Sequence, residues 1–268
     1  MNIALLLEMA AQAGPDRVAL VCDGKRWTYG ELDAAARGAC ELIRASGASH
    51  VALLDESSEA AVIALFGAAL AGVPYCPLNY RLADADLGAL LDRVAPALVV
   101  GDTARVERLS GQAGHTVYPR SEFTLAALEA VADEFAEYDE GQGIAIQLFT
   151  SGTTAAPKAA ILRHSNLLAY ILGTVEFASA DPADAALVSV PPYHIAGISA
   201  LLSSIYAQRR IVMLPAFAPE AWLKLAEAEA RRKEAEANAA YGASYIGSIR
   251  LAQRRSTSSR VTSAIISP

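Results

Sequence analysis

The sequence predicts an α/β fold, helices layered on a largely parallel sheet, and three observations point to it. Short β-branched or apolar runs at residues 18–21, 51–54, 97–100, 144–149 and 186–190 alternate with helix-length stretches. Capping and turn residues fall at the joints between them. With 53% hydrophobic residues in a 268-residue chain, there is ample apolar side chain for a buried core, which excludes a disordered chain.

Taken in order, Ile3, Leu6, Leu7 and Ala10 share one helical face within residues 2–13. Strands at 18–21 and 26–29 bracket Asp23-Gly24, a hairpin-turn pair. Thr28 precedes Glu31 by three residues, the capping-box spacing, so a helix runs on to Ile43 and stops by Gly47. After the strand at 51–54, Ser57 or Ser58 caps a helix over 60–71 that Gly72 ends. An extended segment at 74–78, a helix at 84–93 and a strand at 97–100 follow. Residues 124–140 are acidic and helical or loop-like. Beyond the strand at 144–149, the pattern gives a hydroxyl-rich loop and a helix from about 165 to 177. A strand at 186–190, a helix at 197–207 and a strand at 210–214 complete it.

Charge and cysteine usage exclude several classes. A net charge of −7 argues against nucleic-acid binding. It also hides a split: residues 229–268 carry seven Lys/Arg against three Glu, a net +4, which leaves −11 on residues 1–228. Cys22, Cys40 and Cys76 have no metal-ligand spacing and an odd count, so they read as reduced, buried thiols, with no metal ligands assigned. The apolar stretch at 60–75 is interrupted by Gly67, Gly72 and Pro74 and is too short for a membrane span. The N-terminus lacks a basic start, and the expected location is cytoplasmic.

The chemistry concentrates in Leu148-Phe149-Thr150-Ser151-Gly152-Thr153-Thr154-Ala155-Ala156-Pro157-Lys158. Backbone N–H groups of a tight loop, several hydroxyls and one lysine suit a polyphosphate. It is not a Walker A loop, because Pro157 precedes the lysine and no Ser/Thr follows it. On composition alone, a Ser/Thr-rich surface turn with a solvated lysine is an equal alternative.

The order Thr-Ser-Gly-Thr-Thr-x-x-Pro-Lys at 150–158 resembles the phosphate loop of the AMP-forming, adenylate-forming enzymes: acyl-CoA synthetases, luciferases and peptide-synthetase adenylation domains. Residues 27–32, 69–79, 163–167 and Pro191-Pro192-Tyr193-His194-Ile195-Ala196-Gly197 are similar to further signatures of that family in the same order. The resemblance covers residues 1–228 and implies an N-terminal adenylation domain, incomplete, activating a carboxylic acid, fatty or aromatic, with ATP, Mg2+ and coenzyme A. It implies that Thr150, Ser151, Gly152, Thr153, Thr154 and Lys158 hold the ATP phosphates. It likewise places Tyr193, His194 and Gly197 beside the acid, with Lys158 and His194 as the catalytic candidates. His164 reads as structural, with Ser165 capping the next helix, and Asn79 and Arg81 as fold organisers.

The chain also departs from the family. Ala155 and Ala159 stand where glycines flank the proline-lysine pair, and alanine costs on the order of 1 kcal/mol if φ must be positive there. The magnesium-assisting glutamate, the ribose-binding aspartate and the C-terminal catalytic lysine are missing; Tyr241-Gly242-Ala243-Ser244-Tyr245 only superficially echoes the first. Residues 229–268 are expected to be an atypical basic tail, frameshifted or disordered, with a helix-forming stretch at 228–237. The alternative function is therefore a catalytically incompetent fragment that retains nucleotide or acyl binding or a partner interaction.

Overall fold

The first hairpin forms where Asp23 (φ 49°) and Gly24 (φ 76°) supply the paired positive φ of a type I′ turn. A computed structural model describes residues 1–109, 114–131, 143–150 and 157–238. The hairpin joins β1 (Val18–Cys22) to β2 (Lys25–Thr28) behind α1 (Ala4–Ala13). Thr28 then closes a full capping box on α2 (Tyr29–Ser46): its Oγ1 accepts from the Glu31 amide at 3.1 Å, and a Glu31 carboxylate oxygen accepts from the Thr28 amide at 2.8 Å. Gly47 ends α2 in the left-handed region, φ 65°. Ser58, rather than Ser57, caps α3 (Glu59–Ala71) through the Ala61 amide.

The remaining elements are β3 (His50–Leu54), β4 (Tyr75–Pro77), α4 (Asp84–Asp92), β5 (Ala97–Gly101), α5 (Thr103–Leu109), β6 (His115–Pro119) and α6 (Arg120–Glu129). After them come β7 (Ile144–Thr150), β8 (Lys158–Arg163), α7 (His164–Thr174), β9 (Ala185–Val188), α8 (Ile195–Tyr206) and β10 (Arg210–Met213). They form two sheets, in the orders β2-β1-β10-β9 and β6-β5-β3-β4-β7-β8. Every pairing is parallel except β1–β2 and β7–β8, as the strand–helix alternation predicts.

Alternation along β3 sorts the core. Val51 and Leu53 join the larger cluster with α2 and α3, while Ala52 and Leu54 join a smaller one with Leu87, Leu90 and Leu91 of α4. Helix α3 is apolar on every side and buried throughout from Ala60 to Leu70, the signature of a helix with no solvent face. Close approach between helices needs glycine: a Cβ on Gly67 would stand 2.7 Å from Ala39 Cβ.

Several elements differ from the sequence reading. Helix α6 begins at Arg120 and ends at Glu129, earlier than the acidic stretch implied, and residues 132–142 lie outside the described residues. Helix α7 starts at His164, not after a Ser165 cap; Asn166 Oδ1 accepts from the Arg163 amide instead, at 3.0 Å. His164 itself is buried, and its Nδ1 accepts from the Ile3 amide at 3.3 Å, tying the N-terminus down across 161 residues. Elements α5, β6 and β8 have no counterpart in the sequence reading.

The chain divides into two units, Met1–Pro219 and Glu220–Pro268. In the second, residues 220–238 are helical, as composition predicts at 228–237. Arg231 pairs with Glu227 at 3.0 Å, and Arg232 with Glu229 at 2.9 Å and with Glu236, all at helical i,i+3 or i,i+4 spacing. The echo at 241–245 and the basic run at 254–260 lie outside the described residues.

All three cysteines are free and buried. Burial pushes the Cys22 and Cys76 thiols up to about 12 and Cys40 to about 11, so little thiolate exists near neutrality. The folded protein is accordingly expected to resist iodoacetamide at about pH 8 and to take three labels once denatured. Intact mass measures this, and a label on the native chain would contradict the buried placement.

Candidate active site

The hydroxyl-rich segment of the sequence lies between two strands that pair with each other. Strand β7 rises from Ile144 to Thr150, β8 returns from Lys158, and the two run antiparallel with Phe149 opposite Ala159 and Thr150 opposite Lys158. Thr150 Oγ1 donates to the Lys158 carbonyl at 3.3 Å, closing the base of the loop. Both residues are exposed at this end of the hairpin. Ser151, Gly152, Thr153, Thr154 and Ala155 lie outside the described residues. Ala159 occupies a regular strand position and is not among the residues with positive φ, so alanine in place of glycine imposes no strain there.

Beside this hairpin end opens a cavity of about 380 Å³. Leu148, Phe149, Thr150 and Pro157 form one wall, and Tyr193, His194 and Ile195 form another. Asn79, Leu82 and Leu90, from β4's exit and α4, complete it. The mixture of a mainly apolar lining with a few polar groups is that of a small-molecule site. Tyr193 is held edge-on against Tyr80 (centroids 5.5 Å, interplanar angle 73°) and packs on the His194 ring at 4.6 Å. His194 precedes the first residue of α8 with extended backbone; its side chain forms no cap, and its carbonyl accepts from the Gly197 amide at 3.0 Å.

Thr150, Tyr193 and His194 thus meet at one cavity, with Lys158 paired to Thr150 at its edge. Gly197 lies elsewhere. It is buried where α8 crosses residues 190–191, and its missing Cβ would stand 3.2 Å from the carbonyls of both Val190 and Pro191. It lines a separate apolar gap of about 30 Å³ with Tyr75, Val188 and Met213. Asn79 proves to do two things: its Oδ1 accepts from the Arg81 amide at 3.1 Å, organising the turn, and it lines the cavity. Leu82 and Leu90 carry no chemical signature in the sequence; they come to the site through the smaller core cluster, against which Phe149 of β7 also packs.

The AMP-binding enzyme family matches residues 7–231, most of the chain. The chain belongs to that family. Among its relatives, a medium/long-chain-fatty-acid–CoA/3-oxocholest-4-en-26-oate–CoA ligase of Mycobacterium tuberculosis is 27% identical over 83% of the chain and 47% of its own length. A mitochondrial malonate–CoA ligase of Mus musculus is 29% identical over 82% of the chain and 40% of its own. The crystal structure of ATP-bound MatB from Rhodopseudomonas palustris superposes with a TM-score of 0.72 at 27% identity, over 84% of this chain and 48% of that one. The chain therefore spans less than half the length of each of these three relatives. No helix among its described residues is long and apolar enough to cross a membrane.

Proposed function

We propose that this member of the family carries the phosphate-binding and acid-facing part of an AMP-forming carboxylic acid–CoA ligase. One observation carries this: Thr150 of the phosphate-loop signature and Tyr193-His194 of the later signature, more than 40 residues apart in sequence, line the same cavity. In the reaction a carboxylate oxygen bonds to the α-phosphorus of ATP as the bond to the bridging β-oxygen breaks, giving acyl-adenylate and pyrophosphate. A thiol, here that of coenzyme A, then takes the acyl group and AMP leaves.

The groups at the hairpin end fit a polyphosphate: an exposed lysine ammonium, and facing it an exposed threonine whose hydroxyl would turn from the Lys158 carbonyl to donate to a phosphate oxygen. Lys158 and Thr150 would hold the ATP phosphates and stabilise charge on the departing pyrophosphate. Ser151, Gly152, Thr153 and Thr154 share that role by signature. Among the described residues no group of three His, Cys, Asp or Glu side chains stands ready for a metal ion. Mg2+ in this reading arrives on the nucleotide's own phosphates, which is its usual mode of binding. His194 would donate to the acid's carboxylate, with Tyr193 packing against its carbon skeleton. The apolar lining supports a fatty or aromatic acid.

A second reading is nucleotide or acyl binding without turnover; the chain spans 47% and 40% of the length of the two curated relatives above. Titration with MgATP, followed by carboxylate-dependent exchange of labelled pyrophosphate into ATP, separates the two. Saturable ATP binding is expected, with little or no exchange from this chain alone. Failure to bind either ATP or pyrophosphate would overturn the phosphate assignment.

A further inference from the structure

Arg93 touches the residue next to each chemical end of the hairpin. It is the C-terminal cap of α4, and its Nη1 donates to the Pro157 carbonyl at 2.6 Å, across 64 residues. The same guanidinium lies over the Phe149 ring, 4.7 Å from its centroid. Phe149 immediately precedes Thr150, and Pro157 immediately precedes Lys158.

The restraint falls at the last strand pair among the described residues, Thr150 opposite Lys158; Pro157, just before it, has no N–H to donate to a further pair. Arg93 grips both sides at that limit, with a directional charge-assisted bond on one strand and a stacked planar face on the other. The base it works from is fixed, because Leu87, Leu90 and Leu91 anchor α4 in the smaller core cluster. A cation at a helix C-terminus is also favourably placed with respect to the helix dipole. The arginine side chain itself is exposed, so removing it leaves the core intact.

We propose that Arg93 is a positioning residue, which holds Thr150 and Lys158 in the relative geometry that a polyphosphate requires; this rests on the phosphate-binding reading above. A lysine at 93 keeps the charge but loses the planar fork, so it cannot make both contacts at once.

The test compares the wild-type 268-residue chain with Arg93→Ala and Arg93→Lys. Titration with MgATP and with pyrophosphate is expected to show binding weakened about tenfold in Arg93→Ala, with only part of the loss recovered in Arg93→Lys. Hydrogen exchange in the ligand-free proteins is expected to speed up at Phe149, Thr150, Lys158 and Ala159 in Arg93→Ala. Rates in β3, at residues 51–54, should stay unchanged; a uniform acceleration would mean a general loss of stability and overturn the positioning role. Wild type that binds while Arg93→Ala binds equally well overturns the Arg93 assignment alone. Full recovery in Arg93→Lys assigns the effect to charge and overturns it too. Wild type that binds neither ligand overturns the phosphate reading, and this role with it.

Discussion

Gly38→Ala is expected to lower the melting temperature by roughly 6 to 12 °C, an effect far larger than one methyl group suggests. Gly38 lies in the middle of α2 where α6 crosses it, and an added Cβ would stand 1.8 Å from the Ala127 carbonyl oxygen and 2.9 Å from its carbon. Backbone on both sides leaves no flexible side chain to yield, so the helices must part. Overpacking of this kind costs about 3 kcal/mol at the upper end of its usual range. The partner experiment is Gly173→Ala, in α7, where nothing lies within 4 Å of the new methyl. There the higher helix propensity of alanine is expected to be neutral or to stabilise by up to about 1 kcal/mol. Equal melting temperatures for the two variants would show that α2 and α6 do not meet as described.

Lys158→Ala is expected to weaken MgATP and pyrophosphate binding by roughly 10- to 100-fold, the loss of a hydrogen bond to a charged group. Its position makes the result interpretable. Lys158 is exposed at the first residue of β8, and the Thr150 hydroxyl bonds to its backbone carbonyl, not to its side chain. The substitution therefore leaves the hairpin's own bonds in place, and the melting temperature should stay within about a degree of wild type. Binding should also weaken as salt rises in the wild type, and less steeply in the variant. Isothermal titration at two ionic strengths measures both. Unchanged affinity in Lys158→Ala would remove the lysine from the phosphate site.

What could be read in advance was local chemistry. Thr28 and Glu31 announce the start of α2 because both partners of the capping box lie within four residues. Asp23-Gly24, Gly47 and Gly72 mark turns and helix ends because only certain residues accept positive φ cheaply. Strand β8 escaped, since Lys-Ala-Ala-Ile-Leu-Arg has little strand preference of its own and is extended because it pairs with β7. The division into two sheets escaped as well: alternating strands and helices reveal the layers, but not which strands become neighbours. At the site, Thr150, Lys158, Tyr193 and His194 stand in recognisable order, whereas Leu82, Leu90 and Arg93 reach it through the docking of α4. Their side chains are ordinary, and only tertiary packing gives them a place.

The four-stranded sheet has a consequence for how the chain is made. Its first strand, β1, takes as parallel neighbour β10, with Leu20 opposite Ile211. A ribosome adds about 5 to 20 residues each second, so Leu20 waits roughly 10 to 40 s for its neighbour to be synthesised. Throughout that interval β1 and β2 have no other strand of their sheet to pair with, since β9 and β10 are not yet made, and a two-stranded hairpin alone is marginal. Synthesis rate, and whatever shields residues 18–22 meanwhile, is therefore expected to affect the yield of folded protein.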